Sequence, residues 1–160
     1  MKGPALFRLA ACILACLAAG SIGSIFTYGS VNTWFPTLAK PSFNPPGWVF
    51  GPVWTILYIL MGIAAGLVWN RGDLSDPPIR NALGLFALQL GLNILWSALF
   101  FGLRSPLFAL VDIVFLWAAI LATTLAFRPV SAAAAWLMAP YLAWVSFAAV
   151  LNAAIWKLNP

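Results

Sequence analysis

Polar side chains inside long apolar stretches are the residues of this chain best suited to hold a ligand. Gln89, Asn93, Trp96 and Phe100 follow one another at spacings of four, three and four residues, which places them on one stripe of a helix. The stripe has two interpretations. It is either a pocket wall, in which the amides meet polar groups of a ligand, or a set of interhelical hydrogen bonds that holds a bundle together.

Two further apolar segments carry aromatic faces. Trp54 and Tyr58 share one helix face, and Trp144, Ala148 and Leu151 share another, where the small alanine leaves room beside the indole ring. These faces would enclose a flat aromatic ligand by stacking. The alternative is that the tryptophans are ordinary lipid-facing or interfacial residues.

A proline-rich stretch runs directly into the segment that carries Trp54. Residues 40–58 include Pro45 and Pro46, which fix the backbone and remove hydrogen-bond donors, so the part up to Pro46 is predicted to be loop. Trp48 follows where a helix would enter the membrane interface. A rigid loop beside an aromatic wall is what a pocket for a flat, apolar ligand needs.

Asp112 is the only acidic residue inside an apolar segment, which makes it a candidate for a functional or proton-coupling role. It would instead be structural if it were neutral or paired with Arg104. Asn152 has the same two interpretations. The chain contains no histidine, and its two cysteines, Cys12 and Cys16, are expected to pack between helices, so no metal site is predicted.

The composition identifies the class of protein that must position these residues. The chain has 160 residues, of which 64% are hydrophobic and 7% charged, with a mean hydropathy of +0.99. A water-soluble domain of this length has too much surface to hide so much apolar area. The sequence therefore predicts an integral membrane protein, and the long apolar runs predict helices. A net charge of +5 carried by so few charged residues does not favour nucleic-acid binding.

Five segments are long enough to cross a membrane, and they predict an all-α bundle of five transmembrane helices in one domain, 1–160. The short link 102–105 predicts that the third and fourth helices are antiparallel neighbours. The predicted helices are 5–28, 48–69, 79–101, 106–127 and 132–156, with a long first loop at 29–47.

Small residues and charges suggest how the helices pack and how the chain is oriented. Gly62 with Gly66, and Gly84 with Gly91, form smooth faces that serve either packing within the chain or a homodimer. Five basic residues fall on the N-terminal side of the predicted membrane and three on the other, which favours a cytoplasmic N-terminus in a cell membrane. The first group is Lys2, Arg8, Arg71, Arg80 and Arg128, and the second is Lys40, Arg104 and Lys157.

Residues 40–58 strongly resemble the signature of the TspO/MBR family, the tryptophan-rich sensory and translocator proteins, in a bacterial-type form. Matches continue in order at 92–96, 100–102, 109–112, 140–144 and 151–157. The resemblance implies a five-helix bundle, commonly dimeric, with a pocket under the first loop. It also implies binding of porphyrins such as protoporphyrin IX and haem and, for animal members, of cholesterol and benzodiazepine-type drugs.

The resemblance also implies roles for single residues. Trp54 and Trp144 match two pocket tryptophans of bacterial members that promote light- and oxygen-dependent breakdown of protoporphyrin IX. Phe108 stands where many members have Trp. Together with the residue patterns above, this gives a predicted ligand site of Pro45, Pro46, Trp48, Phe50, Trp54, Tyr58, Gln89, Asn93, Phe108, Trp144, Ala148 and Leu151.

Three functions follow as expectations. The first is a membrane protein that binds tetrapyrroles and takes part in their sensing, transport or regulation, with porphyrin as ligand and no required cofactor. The second is a porphyrin-degrading enzyme, with Trp54 and Trp144 as catalytic residues. The third is a transporter of sterol or other lipophilic molecules, although Ala153 and Ala154 replace the aromatic pattern that sterol recognition in the family uses.

Overall fold

The computed structural model describes residues 3–160 and consists of five long helices joined by loops. Within those residues all five helices are long and apolar enough to cross a membrane, which confirms the predicted all-α membrane fold. The helices are α1 (Gly3–Val31), α2 (Gly47–Trp69), α3 (Pro77–Ser97), α4 (Pro106–Phe127) and α5 (Ala132–Leu158).

Prolines and hydroxyl caps set several of the helix starts. Pro77 and Pro106 lie in the first turns of α3 and α4, where the missing N–H has no intrahelical partner to lose. Ser105 and Ser131 cap α4 and α5 by accepting a backbone N–H, each at 3.3 Å. These signals explain why the sequence predicted the starts of both helices correctly.

The end of α3 differs from the prediction. A regular helix was expected to 101, but the chain changes at Ala98 into a π-helical turn that runs to Gly102. Arg104 then adopts a φ of 54°, and the chain reverses into α4. As predicted, α3 and α4 pack against each other. Pairing with Arg104, one of the alternatives for Asp112, is not observed: the one ion pair within residues 3–160 joins Arg8 to Asp73.

Two glycines of α2, Gly62 and Gly66, are contact points within the chain. A methyl group added at Gly62 would lie 2.5 Å from the Cα of Ile13, and one added at Gly66 would lie 2.9 Å from the Cα of Leu9. The backbones of α1 and α2 therefore meet at this point, which only glycine permits. Of the two interpretations of this motif, packing within the chain is the one observed.

The two ends of α1 are attached to different partners. Near its start, the Arg8 guanidinium donates to the carbonyl oxygen of Trp69 at 2.9 Å and to Asp73 at 2.6 Å, just after α2. Near its end, Ser30 Oγ donates to the carbonyl oxygen of Phe101 at 2.6 Å, in the π-helical turn. Helix α1 thus leaves α2 and crosses towards the end of α3. Lys2 lies outside the described residues.

The first loop covers one end of the bundle and includes a short 3₁₀ helix, Phe35–Thr37. Asn159, after the end of α5, donates to the carbonyl oxygen of Ala39 at 2.9 Å and accepts the N–H of Ala39 at 2.9 Å. This reciprocal pair attaches the loop to the C-terminal end of α5. The ring of Trp34 also packs edge-on against Phe100 at 5.7 Å.

Candidate functional site

A cavity of about 430 Å³ lies inside the bundle beneath the first loop. All five helices contribute to its wall, as does Phe35 of the loop. Its size falls within the range of about 300–1,000 Å³ that is usual for small-molecule sites. Of the residues predicted from the sequence, it brings together Phe50, Trp54, Tyr58, Asn93, Trp144, Ala148, Leu151 and Asn152.

Aromatic rings of α2 and α5 form one side of the cavity. The ring of Trp54 lies 5.6 Å from that of Tyr58, at an interplanar angle of 30°, and 6.2 Å from that of Tyr141. On the same side, Trp144 meets Phe50 edge-on at 5.9 Å. Packing of rings against one another fixes their orientation, and the faces that remain free present apolar, electron-rich surface to a ligand.

A buried hydrogen-bond network lies at the base of this aromatic wall. The Tyr58 hydroxyl donates to Asn93 Oδ1 at 2.5 Å, and Asn93 Nδ2 donates to the Tyr141 hydroxyl at 3.0 Å. These bonds join α2, α3 and α5. Asn93 is 3% exposed and also lines the cavity. Asn93 therefore fits both interpretations given above, interhelical bonding and pocket wall. Its amide links three helices, and one of its two N–H groups stays free to meet a ligand.

Asn152 and Trp96 form a second network. Trp96 Nε1 donates to Asn152 Oδ1 at 3.0 Å, and Asn152 Nδ2 donates to the carbonyl oxygen of Pro106 at 2.8 Å. The side chain of Asn152 thus links α3 and α5 to the first turn of α4. Its hydrogen bonds are directed to the protein, which favours the structural interpretation of this residue.

The cavity has an opening on its side, between α1 and the first turns of α2. Five wall residues are exposed, and all of them lie on these two helices, whereas the other wall residues are buried or half-buried. The backbones of α1 and α2 meet at Gly62 and Gly66, and α1 then runs towards the end of α3, which leaves the opening beside the first turns of α2. The exposed wall residues are Ser21, Ser24, Gly47, Gly51 and Thr55.

The hydroxyls around this opening are already satisfied within their own helices. Ser21, Ser24 and Thr55 each donate to the carbonyl oxygen four residues earlier, at 2.9 Å. Bonds of this kind remove the cost of placing a hydroxyl in hydrocarbon. The opening is therefore compatible with contact to lipid chains, and we call it the lateral mouth.

Comparison with known proteins places this arrangement in a family. The sequence model of the TspO/MBR family matches residues 12–157, which include every residue of the cavity wall. The chain belongs to the TspO/MBR family. This confirms the resemblance stated from the sequence, and it makes the chain a multi-pass membrane protein of that family.

Relatives from bacteria, archaea and animals are similar to this TspO/MBR chain over most of their length. "Tryptophan-rich protein TspO" of Chlorobaculum tepidum is 52% identical over 155 residues, 97% of this chain and 98% of that protein. The protein of the same name from Archaeoglobus fulgidus is 47% identical, over 96% and 98%. The human "Translocator protein" is 44% identical over 139 residues, 86% of this chain and 82% of its own.

Five residues of the predicted ligand site do not line the cavity of this TspO/MBR member. Trp48 is 75% exposed because it is two residues from Phe50 and therefore lies on a different face of α2. Pro45 and Pro46 precede α2 and form the approach to it. These three positions belong to the rim of the bundle.

Gln89 and Phe108 lie elsewhere for different reasons. Gln89 is completely buried, and neither its Oε1 nor its Nε2 has a hydrogen-bond partner. Phe108 is 58% exposed and faces outwards between α3 and α4. It precedes Ala109, which is buried, so the two adjacent residues lie on different faces of α4. Asp112 is also outside the main cavity.

The sequence prediction missed the contribution of α1. Leu17, Gly20, Gly23 and Thr27 line the cavity, but none of these residues carries a charge or an aromatic ring that would single it out. Their spacings of three and four residues, with two glycines on one face, are the only signal. That pattern is also typical of simple helix packing, so the role of α1 depends on the three-dimensional arrangement.

Proposed function

We propose that this TspO/MBR protein binds a tetrapyrrole, such as protoporphyrin IX or haem, in the cavity beneath the first loop. The observation that carries the proposal is an apolar cavity with tryptophan rings on α2 and α5 and one open side. A planar macrocycle stacks on such rings. The lateral mouth leaves room for the part of the macrocycle that the interior does not enclose. Binding of this kind suits a role in porphyrin sensing, transport or regulation.

The charges around the cavity suggest which way the ligand points. The wall contains no charged side chain, so the carboxylate groups of a porphyrin would lie outside the apolar part. Lys40 of the first loop stands 4.7 Å above the ring of Phe35, which is a wall residue. We propose that the carboxylates point towards this loop, near Lys40, at the level of the lipid headgroups.

A titration with protoporphyrin IX tests the proposal. Absorbance and tryptophan fluorescence of the purified chain in detergent should change saturably. Trp144→Leu should weaken binding about 2- to 10-fold, because a stacked aromatic pair contributes about 0.5–1.5 kcal/mol beyond its buried area. Trp136→Leu is the matched control, since Trp136 is exposed on the same helix. Equal affinities of both variants would place the porphyrin outside this cavity.

A second candidate function is light- and oxygen-dependent breakdown of the bound porphyrin. The position of Trp54 and Trp144 on the cavity wall favours it, because an indole beside the macrocycle is readily oxidised. Molecular oxygen would be the oxidant. The porphyrin absorbance should then decline in light and air but not in the dark, and a Trp54→Phe/Trp144→Phe variant should lose this decline. A stable spectrum under light would exclude the enzyme function.

Transport of lipophilic molecules is a third candidate, favoured by the lateral mouth. Sterols and benzodiazepine-type compounds would enter the same cavity and compete with porphyrin, so displacement of bound protoporphyrin IX measures them. Asp112 lies outside the cavity, which argues against proton coupling through this residue. Transport should accordingly persist in Asp112→Asn.

We also propose a homodimer and an orientation. Methyl groups added at Gly84 or Gly91 would meet nothing within 4 Å, and Ala87 between them is exposed, so α3 offers a smooth outer face to a second copy. Crosslinking of Gly84→Cys should trap dimers. The charge distribution favours a cytoplasmic N-terminus, and we propose this orientation. Labelling of Asn70→Cys in intact cells, which should fail from outside, tests it.

A further inference from the structure

A second cavity, separate from the first, lies on the outside of the bundle between α3 and α4. It measures about 340 Å³ and is open along one side. Apolar side chains make up nearly all of its wall, and it shares no residue with the main cavity. We call it the outer cleft, and its main residues are Leu95, Phe108, Val111, Asp112 and Phe115.

Asp112 gives the outer cleft a single polar group. Asp112 is only 5% exposed, yet its Oδ2 has no hydrogen-bond partner. The buried amides of Asn93 and Asn152, in contrast, are bonded on both their oxygen and their nitrogen. Gln89 also lacks partners, but it lines neither cavity, whereas Asp112 lines the outer cleft. A buried polar atom without a partner is costly, which is why such atoms in native proteins are rare and point to an additional group.

The depth of Asp112 restricts what that group is. Asp112 follows Pro106, the first residue of α4, by six positions. At about 1.5 Å per residue, the carboxyl lies about 9 Å along the helix from its start. In a hydrocarbon core about 30 Å thick, this level lies in the outer third, nearer to one headgroup layer than to the midplane, so an amphiphile would reach Asp112 with a polar group that lies below the headgroups.

A second copy of the chain would not satisfy this carboxyl. The exposed residues of α3 and α4 around the middle of the membrane are apolar, and the Trp117 indole already donates to Ser146 at 2.8 Å. Leu95 lies one turn beyond Gly91 on the same face of α3, so a dimer formed through Gly84 and Gly91 would reach the edge of the cleft, but with apolar side chains. A molecule that fits the cleft would carry one hydrogen-bonding group, to meet Asp112, on a larger apolar body, to contact the rest of the wall.

We propose that the outer cleft binds a membrane amphiphile whose hydroxyl group hydrogen-bonds with Asp112. A hydroxyl both donates and accepts, so it suits a carboxylate and a neutral carboxyl alike. The apolar part of the molecule would lie against Phe108, Val111 and Phe115. This site is independent of the porphyrin site, because the two cavities have no wall residue in common.

Photolabelling tests the proposal on the complete chain in lipid nanodiscs. The probes are a long-chain alcohol that carries a diazirine and the matched alkane with the same diazirine, which neither donates nor accepts a hydrogen bond. The alcohol should label peptides of α3 and α4 about tenfold more than the alkane, equivalent to about 1.4 kcal/mol. Asp112→Leu should remove this preference, whereas Asp112→Asn should keep much of it. Val111→Trp should reduce labelling by both probes by filling the cleft.

Two results would overturn the proposal. Equal labelling by the alcohol and the alkane would show that the carboxyl does not hold the ligand. Crosslinks between two chains across Val111→Cys, with no labelling by either probe, would show that a second copy covers the cleft. Protoporphyrin IX binding reports the fold of each variant, and the comparison of the two probes on the unchanged chain decides the question even if Asp112→Leu does not fold.

Discussion

The two buried amides of α3 provide a matched test of how hydrogen bonds stabilise this bundle. Asn93 and Gln89 lie one turn apart and are 3% and 0% exposed, but only Asn93 has partners. Replacing Asn93 by leucine removes one bond to Tyr58 and one to Tyr141. Replacing Gln89 by leucine removes a polar group that has no bond to lose. The two substitutions should therefore change stability in opposite directions.

The expected size follows from the number of bonds. Interhelical hydrogen bonds in membrane proteins contribute on average about 0.6 kcal/mol and at most about 1.7 kcal/mol each. Asn93→Leu should thus lower the free energy of unfolding by about 1–3 kcal/mol. Gln89→Leu should raise it by about 1 kcal/mol, because an unsatisfied buried polar group is destabilising by about that amount or more.

Unfolding of the purified chain in mixed detergent micelles, followed by circular dichroism, measures both effects. Adding Tyr58→Phe to each background completes a double-mutant cycle, which should give a coupling of about 0.6–1.7 kcal/mol with Asn93 and none with Gln89. If Gln89→Leu destabilises the protein as strongly as Asn93→Leu, the amide of Gln89 has a partner and the reasoning fails.

Three more predictions concern access to the cavity and the packing around it. Gly51→Trp should slow porphyrin association by filling the lateral mouth, where a Cβ added at Gly51 meets no other atom within 4 Å. Ile56→Trp, on the exposed face of the same helix, should leave association unchanged. Stopped-flow fluorescence compares the two association rates. Gly62→Leu should destabilise the bundle by about 1–3 kcal/mol or prevent folding, since its Cβ would lie 2.5 Å from a backbone atom of α1. The same unfolding assay measures this, and unchanged stability would contradict the contact between the two helices. Asn159→Ala should release the first loop from the end of α5. Porphyrin should then dissociate faster, and a protease should cleave the loop faster. Unchanged rates would mean that the aromatic contacts alone hold the loop.

The sequence was sufficient for the fold because the membrane imposes strong rules. Spanning helices must be long, apolar and hydrogen-bonded within themselves, so length and hydropathy predicted all five. Proline and serine marked the starts of α4 and α5. The π-helical turn at Ala98–Gly102 was missed because its residues are apolar like those of the helix before it. The turn supplies the carbonyl oxygen to which Ser30 of α1 donates, a tertiary contact that the sequence pattern does not show.

The sequence predicted residues of the candidate site correctly where helical spacing shows which side chains share a face, and it did not do so elsewhere. Trp54 with Tyr58, and Trp144 with Leu151, share faces by their spacing, and the cavity contains all four. Phe108 was included only by its resemblance to a family position, and the local pattern of α4 turns it outwards. The lack of a hydrogen-bond partner for Gln89 was equally unpredictable, because the sequence does not show whether an amide in a helix finds one.

The lateral mouth shows how a few small residues separate access from recognition. Helix α1 is held against α2 at Gly62 and Gly66 and against the end of α3 at Ser30, so the gap beside the first turns of α2 follows from these attachments. The rings that would recognise a ligand lie on α2 and α5, where α1 does not constrain them. Substitutions at the mouth should consequently slow both association and dissociation, and they should lower affinity only as far as they displace the part of the macrocycle that lies in the mouth. Substitutions of Trp54 or Trp144 should lower affinity mainly through faster dissociation.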